Sequence, residues 1–159
     1  MPFLIRKAVA DDSNAIWATR NAAILAQCIG FYSSSDLEVW TDGAPTDRFV
    51  QSVIDKWHVA VADNRVVGTG IIDVVSGHID AVFVQPEMMR RGVGTSMMNY
   101  LERIAVAYGL CRLTLDSTLN AVSFYRGCGF IGEQISEYKS PRGITLMCIP
   151  MTKILTATV

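Results

Sequence analysis

The hydrophobic period changes after the first third of the chain, and this change constrains the fold more than any other feature. Three short runs rich in β-branched residues cover residues 57–62, 66–75 and 78–85. Turn-forming residues at 63–65 and 76–77 separate these runs, and connections this short join antiparallel strands. The pattern therefore predicts a three-stranded meander in the middle of the chain.

Helical periodicity dominates the segments on both sides of the meander. Before it, a strand at residues 3–9 leads into helices at residues 12–28 and 46–56, with a short helix toward Trp40 between them. After it, the pattern predicts a long helix, a short strand, a helix and two strands, at residues 92–108, 113–115, 120–126, 130–138 and 144–151. The order β-α-α-β-β-β-α-β-α-β-β predicts an α/β fold of the α+β kind, with a central mixed, mostly antiparallel, twisted sheet flanked by helices.

The composition is typical of one compact domain with a large apolar core. The chain has 159 residues, of which 50% are hydrophobic and 18% charged, and its formal net charge is −1. This charge excludes a globally basic nucleic-acid binder, and no apolar run approaches the roughly 18 residues of a membrane span. The first dozen residues carry charges and no long apolar run, which argues against a signal peptide. We expect a single domain over residues 1–159, in the cytoplasm, with neither nucleic acid nor membrane as a partner.

The cysteines are too widely spaced to form a metal site with the few histidines. No two of them form a CxxC pair, and the chain has only two histidines. We therefore expect reduced thiols and no metal. The four cysteines are Cys28, Cys111, Cys128 and Cys148.

A loop with two arginines and two glycines follows the third strand of the meander. The strand ends at Pro86, and Arg90, Arg91, Gly92 and Gly94 then open the long helix. A helix N-terminus carries unpaired N–H groups and the positive end of the helix dipole, and glycines let an anion approach the backbone. The segment predicts a pyrophosphate site, with a glycine-tolerant turn that merely begins a core helix as the alternative.

Two other phosphate motifs do not fit the sequence. The pattern GxxxxGK[ST] is absent, and the dinucleotide pattern GxGxxG would need a glycine where Met97 stands. A second GxG, at residues 68–70, lies inside a strand and opens no helix. We expect a bulge or close strand packing there.

The loop resembles the phosphate-binding motif of the GNAT superfamily of acyl-CoA-dependent N-acetyltransferases. The family carries a strand that ends V-x-P, followed by Q/R-x-x-G-x-G/A and a helix, and this chain matches at Val84, Pro86, Gly92 and Gly94. It departs at Met89, where the family usually has Gln or Arg. The family's loop works mainly through backbone N–H groups, so this departure weakens the motif without removing it.

A second block, residues 119–130, is similar to the family's signature N-A-x-x-F-Y-x-x-x-G-F. The order of strands and helices also matches. The resemblance implies the GNAT fold, acetyl-CoA as co-substrate and Tyr125 as the general acid that protonates the departing thiolate; a core-packing tyrosine is the alternative. It assigns backbone contacts with the acetyl and pantetheine groups to the third meander strand and a contact with the same arm to Asn120, which is otherwise a helix N-cap. The implied cofactor-binding residues are Val82, Phe83, Val84, Met89, Arg90, Arg91, Gly92, Val93, Gly94, Thr95 and Asn120.

The general base is open between several groups. His78 and Asp80 lie two residues apart on one strand and so share a face, which is where the family often places its acid or base. Asp116 ends the next strand and is a further candidate, as is bulk water. A solvated strand end is the alternative for each side chain.

The first two helices and their loop are the expected acceptor site. The resemblance is weaker here, to small bacterial GNAT proteins with a Tyr-Ser…Trp pattern, and it points to Tyr32 and Trp40. An aromatic and acidic rim would suit a cationic amine, although core packing explains the aromatic residues nearly as well. The remaining rim residues are Phe31, Asp36, Glu38 and Asp42.

The sequence as a whole predicts an acetyl-CoA-dependent N-acetyltransferase that moves the acetyl group directly to a primary amine. The acceptor is a small-molecule or peptide amine. The alternative is a non-catalytic acyl-CoA sensor of the same fold, which Met89 favours and Tyr125 opposes. The apolar tail at residues 154–159 is expected to be a frayed end or a homodimer contact.

Overall fold

A computed structural model describes residues 2–155, and these residues form one seven-stranded sheet with helices on both faces. The sheet order is β1-β2-β3-β4-β5-β7-β6. The strands are β1 (Leu4–Lys7), β2 (Trp57–Ala62), β3 (Arg65–Ile72), β4 (His78–Val84), β5 (Arg112–Thr118), β6 (Ser136–Lys139) and β7 (Thr145–Ile154). The α-helices are α1 (Ser13–Gln27), α2 (Ser34–Thr41), α3 (Asp47–Lys56), α4 (Val93–Ala107) and α5 (Val122–Gly127).

The predicted meander and mixed sheet are confirmed. Strands β2, β3 and β4 are joined in sequence and pair antiparallel, whereas β4 and β5 pair parallel because α4 crosses between them. The short helix α2 is a separate third helix between β1 and β2, which the predicted order did not count.

The predicted strand at residues 130–138 is wrong over most of its length. Only Ser136–Lys139 pairs as a strand, and Ile131 makes a single bridge to Thr152. The backbone of Gly132 passes so close to the carbonyl of Pro150 that no side chain would fit there. This close approach replaces regular pairing at the start of the segment.

The sheet lies between two helical layers. One face packs against α1 and α3 around a core that contains Ile16, Val53 and Val59. The other face packs against α4 around Met97 and Leu101, both fully buried. Each layer covers apolar side chains of β3 and β4. The high apolar fraction of the chain therefore fills a core on each face of the sheet.

The glycine pair within β3 brings α4 unusually close to the sheet. A Cβ on Gly68 would lie 2.7 Å from Cγ1 of Val93, and one on Gly70 would lie 2.9 Å from Cγ of Met97. The sequence predicts a bulge or close strand packing at this GxG; the glycines instead let a helix pack closely on the strand, which fixes the beginning of α4 directly over β3.

Several features lie away from the site. The cysteines of the described residues are free thiols. No helix in the described range is long and apolar enough to cross a membrane. In the apolar tail, Ile154 is exposed and Leu155 is buried, while residues 156–159, on which the homodimer prediction mainly rests, lie outside the described residues.

Candidate active site

A cavity of about 820 Å³ runs along the middle of the sheet, from the beginning of α4 to the loop between α1 and α2. Its floor is β4, and α5 and the ends of β5 and β7 form one side. The cavity therefore touches the predicted phosphate loop, the predicted acid and base, and the predicted acceptor site.

The floor of the cavity opens because β4 and β5 part. They pair only where His78 faces Thr114 and Ile79 faces Leu115. Farther along, the N–H of Gln85 donates to the carbonyl of Val67 on β3 at 2.8 Å. Because successive strand residues direct their N–H and C=O groups alternately to the two sides, those of the cavity-lining residues Val82 and Val84 point away from β3, into the gap. The gap thus offers unpaired backbone groups to an extended ligand.

The loop before α4 has the geometry of an anion site. Gly92 is the N-cap residue with φ of 85°, and Arg90 has φ of 63°. The N–H of Ser96 makes the first helical bond, to the carbonyl of Gly92, so the N–H groups that precede it have no helical acceptor. A Cβ on Gly92 would meet no atom within 4 Å. Gly92, Gly94 and Thr95 also line the cavity, so this end of the helix borders open space.

The loop residues predicted to bind the cofactor are divided between the cavity and its surroundings. Met89, Arg90, Gly92, Gly94 and Thr95 line the cavity. The Val93 side chain is buried in the core, which leaves its backbone as its contribution. Arg91 is exposed and outside the lining.

Tyr125 presents its hydroxyl to the same cavity. The residue is 7% exposed and lines the cavity, with its ring edge-to-face against Phe124 and Phe130. The Tyr125 hydroxyl makes no hydrogen bond within residues 2–155. It is not fully enclosed either, because the one fully enclosed side-chain oxygen or nitrogen without a partner in these residues is Ser13 Oγ. The hydroxyl is therefore open to the cavity. Burial raises its pKa, which keeps the phenol protonated.

Asn120 does not cap α5. Ala121 occupies the N-cap position, and no side chain caps the helix. Instead, Oδ1 of Asn120 accepts a hydrogen bond from Sγ of Cys28, the residue that follows α1, at 3.5 Å. Burial raises the pKa of the Cys28 thiol to about 11, so it stays a neutral donor. Both side chains line the cavity.

The three candidate bases converge where β4 and β5 begin to part. Nε2 of His78 lies 3.7 Å from Oδ1 of Asp80 and 4.0 Å from Oδ2 of Asp116. Its Nδ1 lies 2.9 Å from Oγ1 of Thr114. Burial is the main cause of a raised pKa at Asp80, even though its carboxylate remains about half exposed (49%). All three side chains reach the cavity. No group of three or more possible metal-ligating side chains is found in the part of the chain that the structure describes.

The two aromatic residues predicted for the acceptor site both line the cavity. The Tyr32 hydroxyl donates to the carbonyl of Met147 at 2.6 Å and accepts from the N–H of Leu119 at 3.1 Å. The Trp40 ring packs edge-to-face on the Tyr32 ring, with centroids 5.8 Å apart. Tyr32 therefore fastens the α1–α2 loop to β7 and to the end of β5. The rest of the predicted rim, Phe31, Asp36, Glu38 and Asp42, does not line the cavity.

The sequence analysis missed the face of α1 that forms one wall of the cavity. Positions spaced three or four residues apart share a helix face, and this face includes Arg20, Ile24, Gln27 and Cys28. A signal was present, because Arg20 is the one charged residue in the fifteen of α1. A single charged residue in an otherwise uncharged helix indicates a position that could bind a ligand.

This arrangement suits a long ligand with an anionic end, held beside a centre for proton transfer. The model of the acetyltransferase (GNAT) family matches residues 13–130. The chain belongs to this family. The predicted family is thus confirmed, and so is the predicted fold class.

A curated relative and several solved structures resemble the chain. The glucosamine 6-phosphate N-acetyltransferase of Schizosaccharomyces pombe is 31% identical over 68 residues, which are 42% of this chain and 61% of that protein. The chain therefore matches less than two thirds of this relative's length.

Among solved structures, a GCN5-related N-acetyltransferase (also described as an aminotransferase, class II) from Rhodopseudomonas palustris is 26% identical, with a TM-score of 0.88 over 98% of this chain and 97% of that one. PaiA N-acetyltransferase of Thermoplasma acidophilum, in complex with coenzyme A, is 15% identical, with a TM-score of 0.72 over 97% and 99%. YncA of Salmonella typhimurium, a putative acetyltransferase with its cofactor acetyl-CoA, is 18% identical, with a TM-score of 0.71 over 100% and 97%. The last two likenesses concern the fold.

Proposed function

We propose that this chain is a single-domain, acetyl-CoA-dependent N-acetyltransferase that transfers the acetyl group directly to a primary amine. One observation carries the proposal: the unpaired Tyr125 hydroxyl and the His78–Asp80–Asp116 group open into the cavity that begins at the anion site of α4. A protein that only bound the cofactor would have no need of proton donors and acceptors so placed.

The residues present fit acetyl-CoA. The unpaired N–H groups at the beginning of α4, with Arg90 beside them, suit the pyrophosphate. The parted strands offer the backbone groups of Val82 and Val84 to the amide-bearing pantetheine arm, and Asn120 lies across the gap on the α5 side. The solved structures that hold coenzyme A or acetyl-CoA share this fold, which supports the assignment.

Acetyl-CoA, when bound, supplies an activated acetyl thioester, and the chain manages the protons. A protonated amine cannot attack, so Asp80 accepts a proton from it, directly or through water, with His78 and Asp116 adjacent. The protonated Tyr125 donates a hydrogen bond, and then its proton, to the departing sulfur. No cysteine serves as a nucleophile: burial raises the pKa of both thiols that line the cavity, Cys28 and Cys148, so both stay protonated.

The acceptor must carry an amine, because the amine is the group that attacks the acetyl thioester. The curated relative is by its name an acetyltransferase of glucosamine 6-phosphate, which is an amine. The enclosed end of the cavity near Tyr32 and Trp40 is where the acceptor would lie in this chain. A small-molecule amine or the amine of a peptide would approach from that end.

Two measurements test the proposal in sequence. The first is the melting temperature with and without acetyl-CoA, which should rise by several degrees at a concentration far above Kd. The second is thiol release from acetyl-CoA with a panel of amines, which should appear with at least one amine and depend on it.

The outcomes distinguish an N-acetyltransferase from a non-catalytic acyl-CoA sensor. Stabilisation without thiol release for any amine would overturn the enzyme and leave the acyl-CoA sensor. An unchanged melting temperature would overturn both.

A further inference from the structure

Arg20 lines the acceptor end of the cavity, and most of its N–H donors have no acceptor among the described residues. Arg20 donates from Nη1 to Oδ1 of Asn21 at 2.6 Å and from Nη2 to the carbonyl of Trp40 at 3.1 Å. A guanidinium has five N–H donors, so three remain free. No carboxylate within the described residues lies within ion-pair distance of it.

A second cation deepens the local excess of positive charge. Arg142, in the turn between β6 and β7, donates from Nη1 to the carbonyls of Val39 and Asp42 at 3.0 and 2.7 Å. Both guanidiniums lie over the Trp17 ring, that of Arg20 4.8 Å and that of Arg142 5.4 Å from its centroid. Both guanidiniums therefore contact the same aromatic ring, and neither forms an ion pair with a carboxylate of the described residues.

Burial first, and the charge of Arg142 second, disfavour the charged form of Arg20 and together lower its pKa to about 10. A half-buried cation with unused donors and a like charge nearby gains most from an anion that the ligand brings. The planar fork of a guanidinium binds the two oxygens of a carboxylate or phosphate at once.

We propose that Arg20 is an acceptor-binding residue for an oxyanion, so that the acceptor carries a carboxylate or a phosphate besides its amine. The inference rests on the proposed function for the amine half of the acceptor. It replaces the expectation of a cationic acceptor, since the acidic rim residues Asp36, Glu38 and Asp42 do not line the cavity.

The charges along the cavity agree with a bipolar acceptor. The cation Arg20 projects from the α1 wall, whereas the carboxylates Asp80 and Asp116 lie at the parting of β4 and β5. An acceptor with its oxyanion at Arg20 would direct its amine toward the groups that remove the proton. A polyamine would instead place a positive charge against Arg20.

Matched acceptor pairs test this directly. Glucosamine 6-phosphate is compared with glucosamine, alanine with alaninamide, and spermidine serves as a cationic amine. For each we measure kcat/KM by thiol release, and Kd by calorimetry in the presence of coenzyme A. The phosphate pair and the carboxylate pair tell which oxyanion the site takes.

Variants of Arg20 supply the second arm. In the wild-type protein we expect kcat/KM for the oxyanion-bearing member of at least one pair to exceed that of its partner without the oxyanion by roughly tenfold to a hundredfold. Arg20→Gln should remove that preference, mainly through KM, and change kcat/KM for the partner without the oxyanion less than about threefold. Arg20→Lys should keep part of it, because the charge remains without the fork. Arg103→Gln, an exposed arginine on α4 outside the cavity, should retain the full preference.

The results separate this inference from the proposed function. Equal use of acceptors with and without the oxyanion, preference for spermidine, or an equal loss on both members of a pair in Arg20→Gln would overturn it. The last result would leave Arg20 a purely structural anchor of Trp40. Binding of an anionic amine that Arg20→Gln abolishes, without thiol release, would uphold the oxyanion site and overturn the enzyme. If calorimetry detects no anionic amine at millimolar concentration, the inference fails.

Discussion

Nε2 of His78 lies 3.7 Å from Oδ1 of Asp80, two residues farther along the same strand. The pair stands where β4 and β5 begin to part, and Asp116 approaches the same nitrogen to 4.0 Å from the other strand. Antiparallel pairing with β3 fixes one edge of β4, while the other edge is free from Asp80 onward. The proposed acid–base group is thus placed by the end of a β-ladder and not by a sequence motif.

Asp80→Asn should lower kcat/KM by roughly 100-fold, the usual scale of general-base catalysis. In the unsubstituted protein kcat/KM should rise with pH through the pKa of Asp80, which burial holds above its ordinary value. The variant should lose this limb of the pH profile. Asp63→Asn, in the exposed turn between β2 and β3, is the matched control and should behave as wild type. A normal rate in Asp80→Asn together with a slow Asp116→Asn would move the role to Asp116.

The Asp80→Asn variant should keep its thermal stability although it loses activity. A raised pKa means that the folded state favours the protonated carboxyl, so that stabilisation is complete at low pH and is lost as pH rises through the folded-state pKa. Removing the ionisation should therefore leave the melting temperature at pH 7 unchanged or higher. A fall of several degrees in calorimetry would show that the carboxylate holds the fold instead.

Tyr125→Phe should lower kcat by roughly 100-fold while leaving the Kd of acetyl-CoA within about twofold. The substitution removes one oxygen that has no hydrogen-bond partner among residues 2–155 and keeps the ring contacts with Phe124 and Phe130. The melting temperature should therefore not fall. Tyr108→Phe, which removes an exposed hydroxyl at the end of α4, is the control. An unchanged kcat in Tyr125→Phe would rule out the general acid assigned here.

Gly92→Glu should abolish the stabilisation of the protein by acetyl-CoA, because it places a carboxylate at the anion site. Gly109→Glu is the matched control at the other end of α4. The φ of Gly109 is 77°, and a Cβ there also meets no atom within 4 Å. Both substitutions should cost about 1–2 kcal/mol of folding free energy, since each places a side chain in the left-handed region. Only Gly92→Glu should lose acetyl-CoA binding in calorimetry. Equal binding by both variants would place the pyrophosphate elsewhere.

Tyr32→Phe should lower the free energy of unfolding by about 1–2 kcal/mol and raise the KM of the acceptor. The missing hydroxyl leaves the carbonyl of Met147 and the N–H of Leu119 without their protein partner. The loop between α1 and α2 then loses its tie to β5 and β7. Chemical denaturation gives the first quantity and initial rates the second. A stable variant with an unchanged acceptor KM would make the tie irrelevant to the site.

The sequence by itself determined the elements whose signals are local. The meander follows from three apolar runs joined by short turns, and the proposed anion site from Gly92 and Gly94 at the beginning of a helix. The block around Tyr125 is also contiguous, so family, fold class and the placement of this tyrosine were readable in order along the chain.

Only the tertiary structure decided which distant residues share the cavity. The Asn120–Cys28 hydrogen bond joins residues 92 positions apart, and the Tyr32–Met147 bond joins residues 115 positions apart. The parting of β4 from β5 depends on where a parallel ladder stops, which the side-chain pattern of one strand does not encode. Arg20 gained its meaning in the same way: its lone charge is visible in the sequence, but whether an acid neutralises it is set by side chains from elsewhere in the fold.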